Sequence, residues 1–332
     1  MIQTIAETAW HHEGDFIFMC NLVKDTCSNT NADYVKLHIT LDLDEYMSKD
    51  HHNYQMLKTW MFNENEWSEI IAIIRSSGKK LMLLLNDTKA IKFASNYSPE
   101  AVELHSVCLN VPRLQNAVMK YIDDNSIIMI GVGGCSIEEV DQAVTFFSDR
   151  PTVLMFGFQN YPTKYENINL AKIRKIQSLY PSLDYGYADH TAWNEENNEL
   201  ITLLGAANNM CYIEKHITTE YGADRCDYSA AISIEMFNSI VDKVMILNQI
   251  SGDGDLSLND GEIQYSQLGP MKMAPYSIKD IDEGSIIKND DFDFIRTSQI
   301  GNINQVNSKI LLGKTLKRDV KKGQVLTTSD FS

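Results

Sequence analysis

The most constraining feature of this 332-residue sequence is a strand-like run followed by a helix-like run, which recurs along the chain. Short β-branched or apolar runs predict strands near 2–6, 34–40, 80–86, 101–107, 126–132, 152–158, 184–190 and 210–216. Amphipathic periodicity predicts helices at 15–28, 66–77, 88–96, 111–122, 136–147, 167–179, 194–207 and 232–249. About eight strand–helix units in about 250 residues predict an α/β fold, a (β/α)8 TIM barrel over residues 1–250. The polar stretch 41–65 is interpreted as an extended loop.

The remainder of the chain has a different character. Residues 251–274 begin with a run rich in Gly, Asp and Ser, which predicts a linker. Residues 275–332 contain an internal echo, in which Ile278–Ile287 resembles Leu316–Leu326. In each copy a glycine lies in a turn between two short strands, where positive φ is readily adopted. We therefore predict a small β-rich module at 275–332.

Composition excludes several classes of partner. The net charge is −16, which disfavours nucleic acid and anionic membranes, and no apolar run is long enough to span a bilayer. A β-type segment begins next to the initiator Met, so no signal peptide is expected. The six cysteines form no C-x-x-C pair, and buried thiols in a reducing compartment are the simpler interpretation. These features predict a cytoplasmic protein with a small-molecule substrate.

Polar side chains follow nearly every predicted strand. In a barrel the C-terminal strand ends meet on one face, where active sites lie, so these side chains should converge on a pocket. Glu7 and Lys36 should be close because they end neighbouring strands. The residues concerned are Glu7, Lys36, His38, Asn86, Ser106, Gln159, Tyr161, Asp189, His190, Glu214 and His216.

Two of these residues predict a metal site. His190 and His216 end consecutive strand-like runs, and a helical stretch separates the two runs. A single histidine at a strand end is more often structural, but two neighbouring neutral imidazoles can hold a divalent cation and leave positions for substrate. His11, His12 and His38 could also be ligands, although loop or packing roles fit them better.

Several motifs in the same order resemble the sialic acid synthase (N-acetylneuraminate synthase) family. They span essentially the whole chain and include the metal-site histidines. They are Ile5-Ala-Glu7 through His12-Glu-Gly14, Ala32-Asp-Tyr-Val-Lys36, Tyr161-Pro-Thr with Glu166 and Asn169-Leu170, Gly186-Tyr-Ala-Asp-His190-Thr, Ile213-Glu-Lys-His216, the two Lys-Gly repeats, and Ile295-Arg296. This chain thus resembles a divergent member with a C-terminal antifreeze-like (SAF) domain.

The resemblance implies a chemistry. Members condense phosphoenolpyruvate with the open-chain aldehyde of an N-acyl amino sugar, and a divalent metal, typically Mn²⁺ (with Mg²⁺ or Co²⁺ as alternatives), polarises the aldehyde. The implied catalytic residues are Glu7, Lys36, His190 and His216, with the two histidines as metal ligands. The implied substrate-binding residues are His38, Ser106, Gln159, Tyr161, Asp224 and Arg296. Arg296 would come from the partner subunit of a domain-swapped homodimer, in which the antifreeze-like domain caps the neighbour's barrel.

The departures from the family pattern concentrate on the phosphoenolpyruvate side. Glu103 stands where the family has a lysine, Asn86-Asp replaces a hydroxyl-containing segment, and Gly131–Gly134 replaces a serine- and threonine-containing one. The backbone amides of these glycines could form a substitute anion site. Two alternatives therefore stay open beside the synthase: an aldolase, lyase or isomerase acting on a related sugar without phosphoenolpyruvate, and a non-catalytic sugar-binding paralogue.

Overall fold

The computed structural model describes residues 1–157 and 160–332. They form two compact units, Met1–Gly252 and Asp253–Ser332. Among the described residues, no helix has the length and apolar character needed to cross a membrane.

The first unit is a closed barrel of eight parallel strands, which confirms the predicted fold. Strand β1 pairs with both β2 and β8, and this closes the sheet. The strands are β1 Gln3–Glu7, β2 Tyr34–Ile39, β3 Lys80–Leu85, β4 Ala101–Leu104, β5 Ile127–Gly131, β6 Thr152–Phe156, β7 Asp184–Ala188 and β8 Tyr212–His216. The helices are α1 Phe16–Asn29, α2 Leu43–Tyr46, α3 Tyr54–Trp60, α4 Glu64–Ser77, α5 Thr88–Ala94, α6 Pro112–Tyr121, α7 Ile137–Phe146, α8 Leu170–Leu179, α9 Asn198–Ala206 and α10 Ile234–Ser251.

Local sequence explains where these elements begin and how they are buried. Helix α4 begins at an Asn63 capping box with Glu66, and α7 begins at a Ser136 capping box with Glu139. The run Leu81–Leu85 of β3 is fully apolar because helices cover the outside of the barrel while other strands' side chains fill its inside.

Two predictions of local structure were wrong. The stretch 41–65 is not an extended loop: it contains α2, α3 and the start of α4. Leu43, Tyr54 and Leu57 pack there against Trp10, so burial of scattered apolar residues outweighs the polar composition. Strand β4 ends at Leu104 rather than at residue 107, because residues 106–110 form turns.

Side chains inside the barrel are arranged in layers taken from alternate strands, as the two-residue period of a strand requires. Ile5, Met82 and Met129 belong to the apolar cluster inside the barrel. Closer to the C-terminal strand ends, the layer from β2, β4, β6 and β8 consists of Lys36, Glu103, Met155 and Glu214. A layer with three charged residues and one methionine thus lies directly above the apolar cluster.

The second unit has its own small core. Strands β9 Ala274–Ser277 and β10 Phe292–Ile295 pair antiparallel, and a short helix α11, Asp260–Tyr265, lies in the stretch predicted as a linker. An antiparallel bridge at Ile281–Val320 joins the two echoed segments, and a second one joins Ile286 to Thr315, the residue before the second segment. Their glycines, Gly284 and Gly323, have φ of 79° and 85°, as the predicted turns require. The identity of this unit as an antifreeze-like domain stays a prediction.

Candidate active site

A cavity of about 250 Å³ opens at the C-terminal ends of the barrel strands. It is lined by Glu7, Ala9, Trp10, Lys36, His38, Leu84, Glu103, His105, Gly131, Gly133, Met155, Gly157, Tyr161, Ala188, His190, Glu214, His216 and Asp227. Because this is the face where barrels carry their active sites, we treat it as the candidate active site.

Lys36 lies at the inner end of this cavity, in contact with three carboxylates. Its Nζ is 2.7 Å from Glu7 Oε2 and 2.7 Å from Glu103 Oε2. It also donates to both oxygens of Glu214, at 3.0 and 2.9 Å. All four side chains are almost completely buried, at 3–6% exposure. The predicted closeness of Glu7 and Lys36 is thereby confirmed, but Lys36 has two further acidic partners.

This cluster perturbs the pKa values of its members. Burial raises the pKa of Glu7, and it raises that of Glu214 to about 8 although Lys36 opposes the shift. For Lys36, burial favours the neutral amine, but Glu103, Glu214 and Glu7 together outweigh it and hold the pKa well above its ordinary value. Lys36 is therefore charged, and the acidic side chains of Glu7, Glu103 and Glu214 already occupy its surroundings.

His190 and His216 lie at the mouth of the cavity, with ring centroids 5.1 Å apart. Burial lowers the pKa of His190 to about 3 and that of His216 well below its usual range, so both imidazoles are neutral. In each ring the buried Nδ1 has no hydrogen-bond partner. Neutral rings with an available lone pair, both lining one cavity, fit a divalent metal.

The backbone around His190 is held firmly in place. The neighbouring Asp189 is fully buried and accepts hydrogen bonds from Lys215 at 2.9 Å, Thr202 at 2.6 Å and Thr191 at 2.6 Å. The carbonyl of His190 accepts a hydrogen bond from the Thr163 amide at 2.8 Å. These contacts fix the end of β7 and so orient the imidazole, which is the task of residues that surround a ligand side chain.

Within residues 1–157 and 160–332, no three His, Cys, Asp or Glu side chains are arranged to hold a metal ion. The protein would therefore supply the two histidines alone, and the remaining positions would go to substrate and water. Tyr161 covers this corner, with its ring centroid 4.5 Å from that of His190 and 6.0 Å from that of His216. A bound sugar could reach the histidines and the Tyr161 ring together.

Comparison with known proteins identifies the family. The model of the NeuB family matches residues 8–256. The chain belongs to the NeuB family. It is 22% identical over 98% of its length to an uncharacterized protein of Methanocaldococcus jannaschii, covering 94% of that protein. It is 24% identical over 94% of its length to the N,N'-diacetyllegionaminic acid synthase of Legionella pneumophila, covering 92% of that enzyme.

The fold of this NeuB-family chain is also similar to solved structures. A putative spore coat polysaccharide biosynthesis protein E from Chromobacterium violaceum superposes with a TM-score of 0.82 at 17% identity, and each chain is fully covered. At this identity the likeness concerns the fold. Family membership confirms the resemblance seen in the motifs.

Of the remaining site residues predicted from the family motifs, some line the cavity and others do not. His38 lines the cavity; its Nε2 is 2.7 Å from the Asn86 amide nitrogen, and its ring is 5.0 Å from that of Trp10. Ser106 is not among the cavity-lining residues; it lies in the turn after β4, whereas its neighbour His105 lines the cavity. Gln159 lies outside the described residues.

Asp224 is not among the cavity-lining residues. Asp224 is exposed, and Asp227 lines the cavity instead, because the loop after β8 turns back through a left-handed backbone at Asp227 with φ of 62°. Arg296 belongs to the second unit, where its guanidinium donates to the Pro270 carbonyl at 3.2 and 2.9 Å. Its contact with a partner subunit stays a prediction.

Sequence reasoning missed three residues of the cavity as site residues: Glu103, His105 and Asp227. Glu103 was identified only as a substitution within the family motif. A signal for the first two was present, since Glu103 and His105 have the same two-residue spacing as Lys36 and His38 of β2, which is separated from β4 only by β3. No sequence signal separates Asp227 from Asp224, because the choice depends on the path of the loop.

Proposed function

We propose that this chain is a divalent-metal-dependent synthase that condenses phosphoenolpyruvate with the open-chain aldehyde of an N-acyl amino sugar. The product would be a sialic-acid-like nonulosonic acid. The observation that carries the proposal is the pair of neutral, closely spaced imidazoles of His190 and His216 at the mouth of a NeuB-family barrel. The name of the Legionella relative, a legionaminic acid synthase, supports the same product class.

The sugar side of the cavity supports this chemistry best. His190 and His216 would hold the metal, Mn²⁺ being the expected ion, which acts as a Lewis acid on the aldehyde oxygen. Tyr161 would cover the sugar, and the carboxylates of Glu7 and Asp227, which both line the cavity, would accept hydrogen bonds from its hydroxyl groups. Burial raises the pKa of Asp227, whose partners are the Trp10 backbone and the Cys226 side chain.

The donor side completes the reaction. The methylene carbon of phosphoenolpyruvate attacks the aldehyde carbon and forms the new carbon–carbon bond. Water then adds to the resulting cationic carbon, and cleavage of the phosphate ester releases inorganic phosphate and the α-keto acid. Lys36 is the cation nearest this process, at the inner end of the cavity. The backbone of Gly131 and Gly133 lines the wall beside it.

One observation favours a second candidate, an aldolase, lyase or isomerase that acts on a related sugar without phosphoenolpyruvate. Lys36 is the single Lys or Arg among the described cavity-lining residues, and three carboxylates surround it. A donor with carboxylate and phosphate groups finds little positive charge there.

The test is a product assay with purified protein, Mn²⁺, phosphoenolpyruvate and a panel of N-acyl hexosamines. We expect phosphate release in equal amount to a product whose mass combines the three donor carbons with the sugar. Absence of phosphate release with every sugar, while Mn²⁺ still binds, would exclude the synthase and direct the search to the second candidate. Absence of both metal binding and turnover would instead indicate a sugar-binding paralogue.

A matched pair of variants controls for the metal site. His190→Ala should abolish phosphate release, whereas His52→Ala should leave it unchanged, because His52 is an exposed residue that stacks on His51 outside the candidate site. Equal activity of the two variants would refute the assigned role of His190.

A further inference from the structure

We propose that Glu103 is a specificity-determining residue which, by engaging Lys36, keeps the inner end of the cavity from binding a phosphorylated donor tightly. The inference deepens the proposed function and rests on it, because it concerns the donor half of the same cavity. It stands on the position of Glu103, on the charges of the cavity lining and on the space left by Gly131.

The position of Glu103 follows from the barrel. Lys36, Glu103 and Glu214 come from β2, β4 and β8, so their side chains lie in one interior layer and converge on a single point. Glu103 Oε2 lies 2.7 Å from Lys36 Nζ, and its side chain is 6% exposed. A carboxylate so buried and so close to the ammonium cannot be displaced without losing a short ion pair.

Gly131 provides the room for this carboxylate. A Cβ on Gly131 would lie 3.1 Å from Glu103 Oε1 and 3.3 Å from the Ser106 backbone nitrogen. Any larger residue would press on the carboxylate. Because Gly131 of the neighbouring strand β5 has no side chain, the Glu103 carboxylate fits beside it.

The charges of the cavity are one-sided. Its described lining contains four acidic side chains, Glu7, Glu103, Glu214 and Asp227, and a single Lys or Arg, Lys36.

A phosphorylated donor therefore meets an unfavourable inner end. Its carboxylate and phosphate need positive charge, but Lys36 is already paired, and in a buried site charges interact more strongly than in water. The other buried lysine of the barrel, Lys215, is paired with Asp189 and does not line the cavity. Removing the charge of Glu103 would free part of the positive potential of Lys36 for an incoming anion.

The experiment measures anion affinity by isothermal titration calorimetry in metal-free buffer, so that the anion cannot bind through the metal. Phosphoenolpyruvate and inorganic phosphate are titrated into the wild type, Glu103→Gln, Glu103→Lys and the control Glu69→Gln. Glu69 is an exposed residue of α4, and its variant removes the same charge far from the cavity lining. Thermal melts verify that each variant is folded. The Glu103→Lys variant places two lysines, at positions 36 and 103, opposite Glu7 and Glu214.

We expect Glu103→Gln to bind both anions at least about tenfold more tightly than the wild type, and Glu103→Lys more tightly still. The Glu69→Gln control should bind as the wild type does. The inference is overturned if neither Glu103 variant binds the anions more tightly, or if the wild type already binds phosphoenolpyruvate as tightly as Glu103→Lys.

The product assay separates this inference from the proposed function. Tighter anion binding by the Glu103 variants without turnover on any sugar would support the role of Glu103 and refute the synthase. Turnover by the wild type with a KM for phosphoenolpyruvate that Glu103→Gln leaves unchanged would support the synthase and refute the role of Glu103.

Discussion

The two ends of one cavity differ in how their functional side chains are partnered. At the mouth, the His190 and His216 imidazoles are neutral, and each retains a buried nitrogen without a partner. At the inner end, Lys36 is charged and has short contacts to three carboxylates. The proposed metal and sugar would bind at the mouth, where the two imidazoles keep a free lone pair. At the inner end the positive charge of Lys36 is already paired, so a donor anion would bind there weakly.

The largest effect is expected from variants that remove a histidine at the mouth of the cavity. His190→Ala or His216→Ala should abolish Mn²⁺ binding and lower any turnover by about a thousandfold, or roughly 4 kcal/mol, because the aldehyde loses its Lewis acid. Calorimetric titration with Mn²⁺ and initial rates test this. Retained metal binding in both single variants would mean that the two imidazoles are not the ligands.

The next largest effect is expected from a variant that removes Lys36, the cation at the centre of the inner cluster. Lys36→Met should lower the free energy of unfolding by about 3 kcal/mol, because it leaves Glu7, Glu103 and Glu214 buried without a cation. Urea denaturation measures the loss, and exposed Lys92→Met is the control. The double variant Lys36→Met/Glu103→Gln should recover part of the loss; if it is less stable still, the carboxylates are not the cause.

A pH experiment tests whether a buried histidine can be neutral without having a role in the cavity. Burial lowers the pKa of His12 to about 3, yet its ring packs against Phe62 and Trp67 and does not line the cavity. Because the unfolded chain protonates near the ordinary value of 6.5 and the folded chain does not, stability present above pH 6.5 is lost as pH falls. At pH 5 the loss from this residue is about 2 kcal/mol.

His12→Gln should therefore flatten the acid limb of a plot of unfolding free energy against pH. The Gln side chain can still accept from the Gly14 amide, which donates to His12 Nδ1 in the native chain. An unchanged acid limb would show that other buried histidines cause the loss. In either case neither the neutral state nor an unpartnered nitrogen alone marks a metal ligand, because His12 Nε2 also lacks a partner. The comparison depends on the place of His190 and His216 in the cavity lining, which His12 does not share.

The smallest effect distinguishes two aspartates of one loop. Asp227→Asn should raise the KM for the sugar by about tenfold, or roughly 1.4 kcal/mol, because Asp227 lines the cavity, whereas exposed Asp224→Asn should leave it unchanged. Steady-state kinetics with varied sugar concentration measure both. The reverse outcome would support the sequence motif over the described loop path.

Much of the barrel and of the mouth was predictable. Eight apolar runs of strand length, each buried on both faces, identify the parallel strands, and polar residues at their ends identify the functional face. The pairing of Glu7 with Lys36 followed from adjacent strands. The two histidines followed from equivalent positions on β7 and β8.

What could not be predicted depends on contacts between distant strands. Lys36 and Glu214 are 178 residues apart, and their meeting with Glu103 depends on which side chains share an interior layer. The helices α2 and α3 escaped detection because a few buried residues, Tyr54 and Leu57 among them, stabilise them against Trp10 rather than through their own periodicity. Asp227 replaces Asp224 in the cavity through a backbone turn that residue types alone do not specify.

The difference between the mouth and the inner end of the cavity is tested most directly by two parallel titrations of the wild-type protein. One uses Mn²⁺, and the other uses phosphoenolpyruvate in the absence of metal. We predict that Mn²⁺ binds at one site per chain with a Kd of about 1 μM, while phosphoenolpyruvate binds with a Kd of about 1 mM or weaker. Tight binding of metal-free phosphoenolpyruvate together with weak binding of Mn²⁺ would contradict it.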